Sequence, residues 1–105
     1  MASQIVKEKV SRYLNILRTN GLIVTQGIIY GSQARGDATP DSDIDLLVIS
    51  PLFDQDPRAR IGEMWRLASE IDNHIEPMPV GEKRFREDDV SPLLEIARRE
   101  GLVVS

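Results

Sequence analysis

The sequence predicts an α/β fold: a small mixed β-sheet backed by helices on one face, in one domain that spans residues 1–105. Helical and extended patterns alternate along the chain, which is typical of a sheet covered by helices. The turn between the first two extended segments, residues 31–42, is too short for an ordinary crossover helix, which favours a mixed sheet over a doubly wound one. A chain of 105 residues without cysteine is long enough to bury a core without disulfides.

The predicted elements follow one another along the chain. Helices are predicted over residues 3–19, from the segment 54–57 to residue 71, and over residues 92–99, with a short helical piece at 32–35. Strands are predicted over residues 22–30, 43–50, 74–80 and 102–104. The polar residues 82–89 predict a loop.

The helices are predicted from apolar residues at helical spacing and from residues that mark helix ends. The first helix ends at Gly21, and the second begins with acidic residues around Pro57. In the second helix Trp65 lies on the apolar side, so it is expected in the core. Ser91 caps the last helix and Gly101 ends it.

The strands are predicted from apolar runs and from the positions of glycine and proline. Residues 22–30 are rich in Ile and Val and predict a buried strand, in which Gly27 marks a bulge or a close approach. The third strand contains Pro77 and Pro79. Because proline cannot donate to a strand ladder, these two residues place the third strand at an edge of the sheet.

The charge balance and the composition exclude several classes of function. Thirteen Lys and Arg residues stand against 17 Asp and Glu residues, a net charge of −4. This charge gives no support to general nucleic-acid binding, which needs a basic surface. The absence of cysteine excludes a zinc–thiolate site. Charged residues near the N-terminus and the lack of a long apolar stretch predict a cytoplasmic protein without a membrane segment.

Two aspartates at the start of the second predicted strand are the strongest functional signal. Because side chains alternate along a strand, Asp43 and Asp45 point to one face, while Ile44 points to the core. An ionised carboxylate within an apolar strand is costly unless it is paired or binds a metal. Mg²⁺ is commonly held by such carboxylates together with nucleotide phosphates. The pattern therefore predicts a phosphoryl-transfer site.

A turn of small residues precedes the aspartates. Gly31 lets the backbone approach a phosphate closely, because it has no Cβ atom. Ser32 offers a hydroxyl and a backbone amide at the start of a helix, which suits an anion; alternatively, Ser32 is only the helix N-cap. Arg35 is placed to reach a phosphate or to pair with the carboxylates, unless it is an ordinary surface arginine.

A third carboxylate is expected, because two metal ions need bridging and a nucleophile needs a base. Glu76 is the candidate, since its extended segment is expected to lie beside the second strand; Asp72 and Glu70 are the alternatives. His74 would share the face of Glu76 in a regular strand and could orient it, or it lies at the surface. The basic cluster 83–86 could meet a triphosphate or an acidic partner, or it is solvated.

The spacing of these residues resembles the signature of the DNA polymerase β-like nucleotidyltransferase superfamily. A Gly-Ser pair, ten intervening residues and Asp43-x-Asp45 form this signature. The whole stretch 31–46 resembles that of minimal nucleotidyltransferase (MNT) domains from bacteria and archaea. The closing residues 96–104 are also similar to theirs, so the resemblance spans nearly the whole chain.

The resemblance implies a fold like the polymerase β palm and a set of roles. Asp43 and Asp45 would bind Mg²⁺, and Gly31 with Ser32 would hold the phosphates of ATP or another NTP. A hydroxyl group would then attack the α-phosphate, with loss of pyrophosphate. The third acid of the superfamily is commonly aspartate, which is one methylene shorter than Glu76.

The resemblance also implies a partner. Many MNT domains act as antitoxins beside a HEPN-type toxin, and some transfer AMP from ATP to a toxin tyrosine. The first hypothesis is therefore Mg²⁺-dependent transfer of AMP to a hydroxyl of such a partner, and the alternative is a non-catalytic antitoxin that acts by binding. Transfer to a small molecule or an RNA end is a third option, which the negative charge and small size argue against. The apolar helix faces also allow a homodimer.

Overall fold

A computed structural model describes residues 2–105, which form a four-stranded sheet with helices. The helices are α1 (Gln4–Thr19), α2 (Ser32–Arg35), α3 (Leu52–Gln55), α4 (Ile61–Ile71), α5 (Glu82–Glu87) and α6 (Pro92–Glu100). The strands are β1 (Gln26–Tyr30), β2 (Ile44–Ser50), β3 (Ile75–Gly81) and β4 (Leu102–Val104). None of the helices within residues 2–105 is long and apolar enough to cross a membrane.

The sheet is mixed, which confirms the predicted fold class. Its strand order is β3-β2-β1-β4. β1 is antiparallel to both β2 and β4, whereas β2 and β3 are parallel and are joined by a crossover that contains α3 and α4. This topology brings the last residue of β1 and the first residues of β2 and β3 to the same end of the sheet.

Two apolar clusters cover the two faces of the sheet. The larger cluster joins α1 and α4 to one face, where Ile29, Leu46 and Ile75 are buried. The smaller cluster joins α6 to the opposite face through Leu94 and Ala97. The expectation of helices on one face only is therefore wrong, because α6 has an apolar side of its own that needs burial.

β1 is shorter than predicted, since its ladder begins at Gln26 rather than at Leu22. Leu22 and Val24 are nevertheless buried, because they pack in the larger cluster as part of the connection from α1. Gly27 forms no bulge, since the pairing continues through it. It is a close approach instead: a Cβ atom there would lie 2.8 Å from Cδ1 of Leu14.

The predicted second helix begins later than expected. Residues 54–57 do not start it, because the chain turns at Arg60, whose φ of +61° is left-handed and interrupts any helix. Trp65, which was expected in the core, is 45% exposed. The buried side of α4 is formed by Met64 and Ala68 instead.

The segment predicted as a polar loop forms α5. The carboxylate of Asp54 accepts hydrogen bonds from the backbone amides of Lys83 (2.8 Å) and Arg84 (3.1 Å). A side chain from far earlier in the chain therefore caps the first turn of this helix. The arginines of the cluster 83–86 form ion pairs with acids of the same segment, so the cluster offers less free positive charge than its sequence indicates.

β3 is an edge strand, as its prolines predict. Pro77 and Pro79 occupy alternate positions, opposite Leu46 and Val48 of β2. Because proline has no amide hydrogen, pairing with β2 requires that both proline nitrogens face away from β2. The outer edge of β3 thus lacks two donors, which hinders the pairing of another strand.

Candidate active site

Three polar side chains form a row across one end of the sheet. Tyr30 is opposite Asp45 in the β1–β2 ladder, and Asp45 is opposite Glu76 in the β2–β3 ladder. Residues paired in this way point to the same face and lie close together. Farther along this face, Leu47 and Ile49 are buried beneath α6, whereas the three members of the row are only half-buried. We call these three residues the polar row.

Asp43 adds a third carboxylate to the site. It directly precedes β2, and its hydrogen bond with Glu76 is the main reason why the pKa of Glu76 is raised; burial and the charges of Asp43 and Asp45 raise that pKa further. Burial, followed by the charge of Asp43, also raises the pKa of Asp45. The carboxylates therefore repel one another, and a bound cation would relieve this repulsion.

The turn at Gly31 lies directly against the polar row. Gly31 has a φ of +74° and a ψ of −146°, a backbone conformation that favours glycine. A Cβ atom at this position would lie 2.5 Å from Oδ2 of Asp45. The absence of a side chain is therefore needed both for the shape of the turn and for the position of that carboxylate.

Ser32 is the first residue of α2, and Gly31 occupies the N-cap position. The alternative in which Ser32 serves only as an N-cap is therefore wrong. The first backbone bonds of this helix run from the amides of Ala34 and Arg35 to the carbonyl of Gly31. The amides of Ser32 and Gln33 have no partner within the helix, since they belong to its first turn. They lie at the N-terminal end of α2, beside the carboxylates.

Arg35 lies near the carboxylates without a direct ion pair to them. Its Nε atom is 3.4 Å from Oδ2 of Asp37, and its side chain is 49% exposed. Its positive charge lowers the pKa of Asp45 and so opposes the effects of burial and of Asp43. An exposed arginine with one weak partner is free to turn toward an anion bound at the Gly31 turn.

The alternatives to Glu76 lie outside the row. Asp72 ends α4, where its carboxylate accepts hydrogen bonds from Nζ of Lys9 (2.7 Å) and from the amide of His74 (2.8 Å). These bonds hold the pKa of Asp72 well below its usual range. Glu70 forms an exposed ion pair on α4. His74 precedes β3, and its ring contacts Asp72 rather than Glu76; of its two alternatives the surface position is therefore observed, with a side chain that is 42% exposed.

Tyr30 is the member of the site that the sequence analysis missed. Burial, then the charges of Asp45 and Glu76, raise the pKa of Tyr30 to about 12. In the sequence, only its position directly before Gly31 indicates that Tyr30 belongs to the site. That signal becomes informative only when the register of β1 against β2 is known.

The family of this chain is identified from nearly its whole sequence. The family model described as a nucleotidyltransferase domain matches residues 10–101, which include all the residues of the site. The chain belongs to this nucleotidyltransferase family.

Two solved structures share the fold of this nucleotidyltransferase domain. A chain from the crystal structure of a toxin–antitoxin with AMP-PNP has a TM-score of 0.62 and 24% identity, over 94% of this chain and 72% of that chain. A candidate nucleotidyltransferase from Sulfolobus solfataricus has a TM-score of 0.60 and 16% identity, over 92% of this chain and 77% of its own. The comparison with curated proteins found no match.

The carboxylates fit Mg²⁺ as a partial ligand set. Within residues 2–105, no three His, Asp or Glu side chains are arranged so that they could hold a metal ion. Mg²⁺, however, is usually bound by one or two carboxylates together with water and substrate phosphates, rather than by a complete protein cage. Asp43 and Asp45 supply hard oxygen ligands of this kind, and the Gly31 turn lies directly beside Asp45.

Proposed function

We propose that this nucleotidyltransferase domain uses Mg²⁺ to transfer AMP from ATP to a hydroxyl group of a partner protein, a HEPN-type toxin, and so acts as an antitoxin. The observation that carries the proposal is the register that sets Asp45 opposite Glu76, with the Gly31 turn against Asp45. Membership of the family supports nucleotidyl transfer. The likeness to a chain of a toxin–antitoxin with AMP-PNP supports the class of partner and of nucleotide.

The residues of the site divide between metal and phosphates. Asp43 and Asp45 would hold Mg²⁺, which supplies positive charge that offsets the charge of the triphosphate. Gly31 and Ser32 would hold the phosphates through backbone amides and the serine hydroxyl. Arg35, half exposed beside them, would add a charged hydrogen bond to a phosphate oxygen.

Glu76 would act as the base, or complete the ligands of the metal. Its carboxylate lies opposite Asp45 in the β2–β3 ladder, so it would be placed beside the metal site to accept the proton of a hydroxyl group. The acceptor hydroxyl gives its proton to Glu76, and its oxygen forms a bond to the α-phosphorus. The bond from the α-phosphorus to the oxygen that bridges to the β-phosphate breaks, and pyrophosphate leaves.

The direct test is the double variant Asp43→Asn with Asp45→Asn. We expect transfer to fall at least about 1000-fold, because both metal ligands lose their charge, while the circular dichroism spectrum stays that of the wild type. Transfer is measured as radioactivity moved from α-labelled ATP with Mg²⁺ to the protein encoded beside this chain. Asp89→Asn, an exposed carboxylate between α5 and α6, is the matched control and should transfer normally.

The alternative function is a non-catalytic antitoxin that neutralises its toxin by binding. One observation favours it: Trp65 is 45% exposed on α4, and exposed aromatic residues are enriched in protein interfaces. Under this alternative the wild type leaves the partner unlabelled, and the double variant still binds and silences it. Labelling that persists in the double variant would refute the assignment of Asp43 and Asp45.

A further inference from the structure

Tyr30 is the member of the polar row whose role the proposed function leaves open. Its ring packs against the smaller apolar cluster together with Phe85 and Leu93, which fixes its direction. Its hydroxyl forms no hydrogen bond with any other of residues 2–105. Every buried polar side-chain atom in that range does have a hydrogen-bond partner, so the Tyr30 oxygen is not a buried atom. The hydroxyl oxygen of Tyr30 is therefore exposed to solvent at the site.

The other tyrosine of the chain shows the contrast. Tyr13 is fully buried, and its hydroxyl donates to the carbonyl of Met64 at 2.9 Å. That hydrogen bond accounts for a hydroxyl in the core. The hydroxyl of Tyr30 makes no such bond within residues 2–105, so it is free to contact a ligand at the site.

Tyr30 lies at the opposite end of the polar row from Glu76, where the acceptor hydroxyl is proposed to bind. Asp45 lies between Tyr30 and Glu76 in the row, so the two outer residues are two strands apart, roughly 10 Å. Glu76, the proposed base, lies at the edge strand, where the acceptor hydroxyl must come. Tyr30 directly precedes Gly31 and Ser32, so it lies on the side where the phosphates are proposed to bind.

We propose that the Tyr30 hydroxyl donates a hydrogen bond to a phosphate oxygen of the bound nucleotide, which makes Tyr30 a nucleotide-binding residue. This inference rests on the nucleotide site of the proposed function. A phenol is neutral at physiological pH, so it can stand beside two carboxylates and still donate to an anion. Such a donor provides direction without adding charge to the crowded row.

The test is the binding of AMP-PNP with Mg²⁺ to Tyr30→Phe, measured by isothermal titration calorimetry. We expect the dissociation constant to rise about 5- to 30-fold, because a hydrogen bond to a charged group is lost, while the melting temperature stays within about 2 °C of the wild type. Tyr13→Phe is the matched control. It loses a buried hydrogen bond, so it should melt at a lower temperature and bind AMP-PNP as the wild type does.

A second ligand separates the phosphates from the sugar. Tripolyphosphate with Mg²⁺ carries the phosphates alone, so Tyr30→Phe should weaken its binding by the same factor as that of AMP-PNP. A loss for AMP-PNP with none for tripolyphosphate would place the hydroxyl against the ribose and overturn the phosphate contact. Equal affinities of Tyr30→Phe and the wild type for both ligands would overturn any contact.

The failure of this inference differs from a failure of the proposed function. If the wild type binds AMP-PNP with Mg²⁺, the Asp43/Asp45 double variant does not, and Tyr30→Phe binds normally, only the inference on Tyr30 fails. If the wild type binds neither ligand, the nucleotide site and the inference fail together.

Discussion

Gly31 ties the backbone of the turn to the position of a carboxylate. A φ of +74° and a Cβ position 2.5 Å from Oδ2 of Asp45 are two separate reasons why a larger residue does not fit. The first concerns the stability of the turn, and the second concerns the chemistry of the site. Two glycine variants can separate them.

Gly31→Ala should impair both properties. We expect the free energy of unfolding to fall by about 1–3 kcal/mol, because alanine is strained at this φ. AMP-PNP binding with Mg²⁺ should weaken about tenfold or more, because the Asp45 carboxylate must move away from the new methyl group. Urea unfolding and calorimetric titration measure the two effects.

Gly36→Ala is the matched control for backbone strain. Gly36 ends α2 with a φ of +87° and a ψ of 13°, which is the left-handed helical region, so alanine there should lower the stability by about 1–2 kcal/mol. Its binding of AMP-PNP should change much less than that of Gly31→Ala. Equal losses of affinity in the two variants would show that strain, rather than the Asp45 carboxylate, determines binding.

A candidate site residue could be predicted from the sequence where its type is unusual among its neighbours in the chain. Asp43 and Asp45 stand out because a carboxylate inside an apolar strand needs a special reason, and Glu76 followed from the expected strand neighbour. Tyr30 was missed because an aromatic residue at the end of a strand is ordinary. Only the register of β1 against β2 sets it opposite Asp45.

At the scale of the elements, one carboxylate connects α1, α4 and β3. Asp72 ends α4, accepts from Nζ of Lys9 on α1, and accepts from both the amide and the ring of His74 just before β3. Its side chain is 14% exposed. These bonds fix the start of β3, where Ile75 pairs with Ile44.

Asp72→Asn should destabilise the protein in a way that depends on pH. We expect a loss of about 1–3 kcal/mol at pH 7, because bonds to a charged group weaken. The pKa of Asp72 is lower in the folded state, so its contribution is complete above the unfolded-state pKa of about 4 and declines as the pH falls below it. Urea unfolding from pH 7 to pH 2.5 should therefore show a difference from the wild type that narrows with acidity.

Glu70→Gln is the control for this prediction. Glu70 is also on α4, but its ion pair with Arg66 is exposed on both sides, so the change should be below about 0.5 kcal/mol. A difference between Asp72→Asn and the wild type that stays constant to pH 2.5 would contradict the role of the Asp72 charge.

A helix or strand could be predicted from the sequence where the residues that determine its ends lie next to it in the chain. Ser91 and Gly101 bound α6 as their sequence positions predict. The start of α4 was misplaced because Arg60 adopts a left-handed conformation, which no local pattern requires. α5 was missed because its capping carboxylate belongs to Asp54, a contact that forms only in the folded chain.

At the scale of the whole molecule, the clustered carboxylates of the site lower the stability of the folded protein. The pKa values of Asp45 and Glu76 are raised, so their charged forms are less stable in the folded protein than in the unfolded chain. This cost is absent at acid pH and is fully present above the folded-state pKa values. Proteins commonly accept such a cost at functional sites.

The Asp43→Asn/Asp45→Asn protein should therefore be more stable than the wild type in the absence of divalent cations. We expect its melting temperature at pH 7 to be about 2–5 °C higher, because the repulsion is removed. Mg²⁺ at millimolar concentration should raise the melting temperature of the wild type but not that of the double variant, since a ligand stabilises only the state that binds it. Differential scanning calorimetry, with and without Mg²⁺, measures both effects.

A matched experiment with K⁺ at equal ionic strength separates binding from screening. The same rise with K⁺ would show that screening accounts for the effect. A double variant that melts below the wild type would contradict the view that the carboxylates repel one another in the folded protein.

The prolines of β3 constrain how an acceptor protein can be recognised. Glu76 lies on the edge strand, so under the proposed function an acceptor hydroxyl would approach it past an edge that lacks two backbone donors. Recognition by strand addition depends on main-chain hydrogen bonds and accepts many sequences. With that mode hindered, we expect an acceptor protein to be chosen by its side chains and by a folded surface. Such a transferase would modify one native partner and spare unfolded polypeptides.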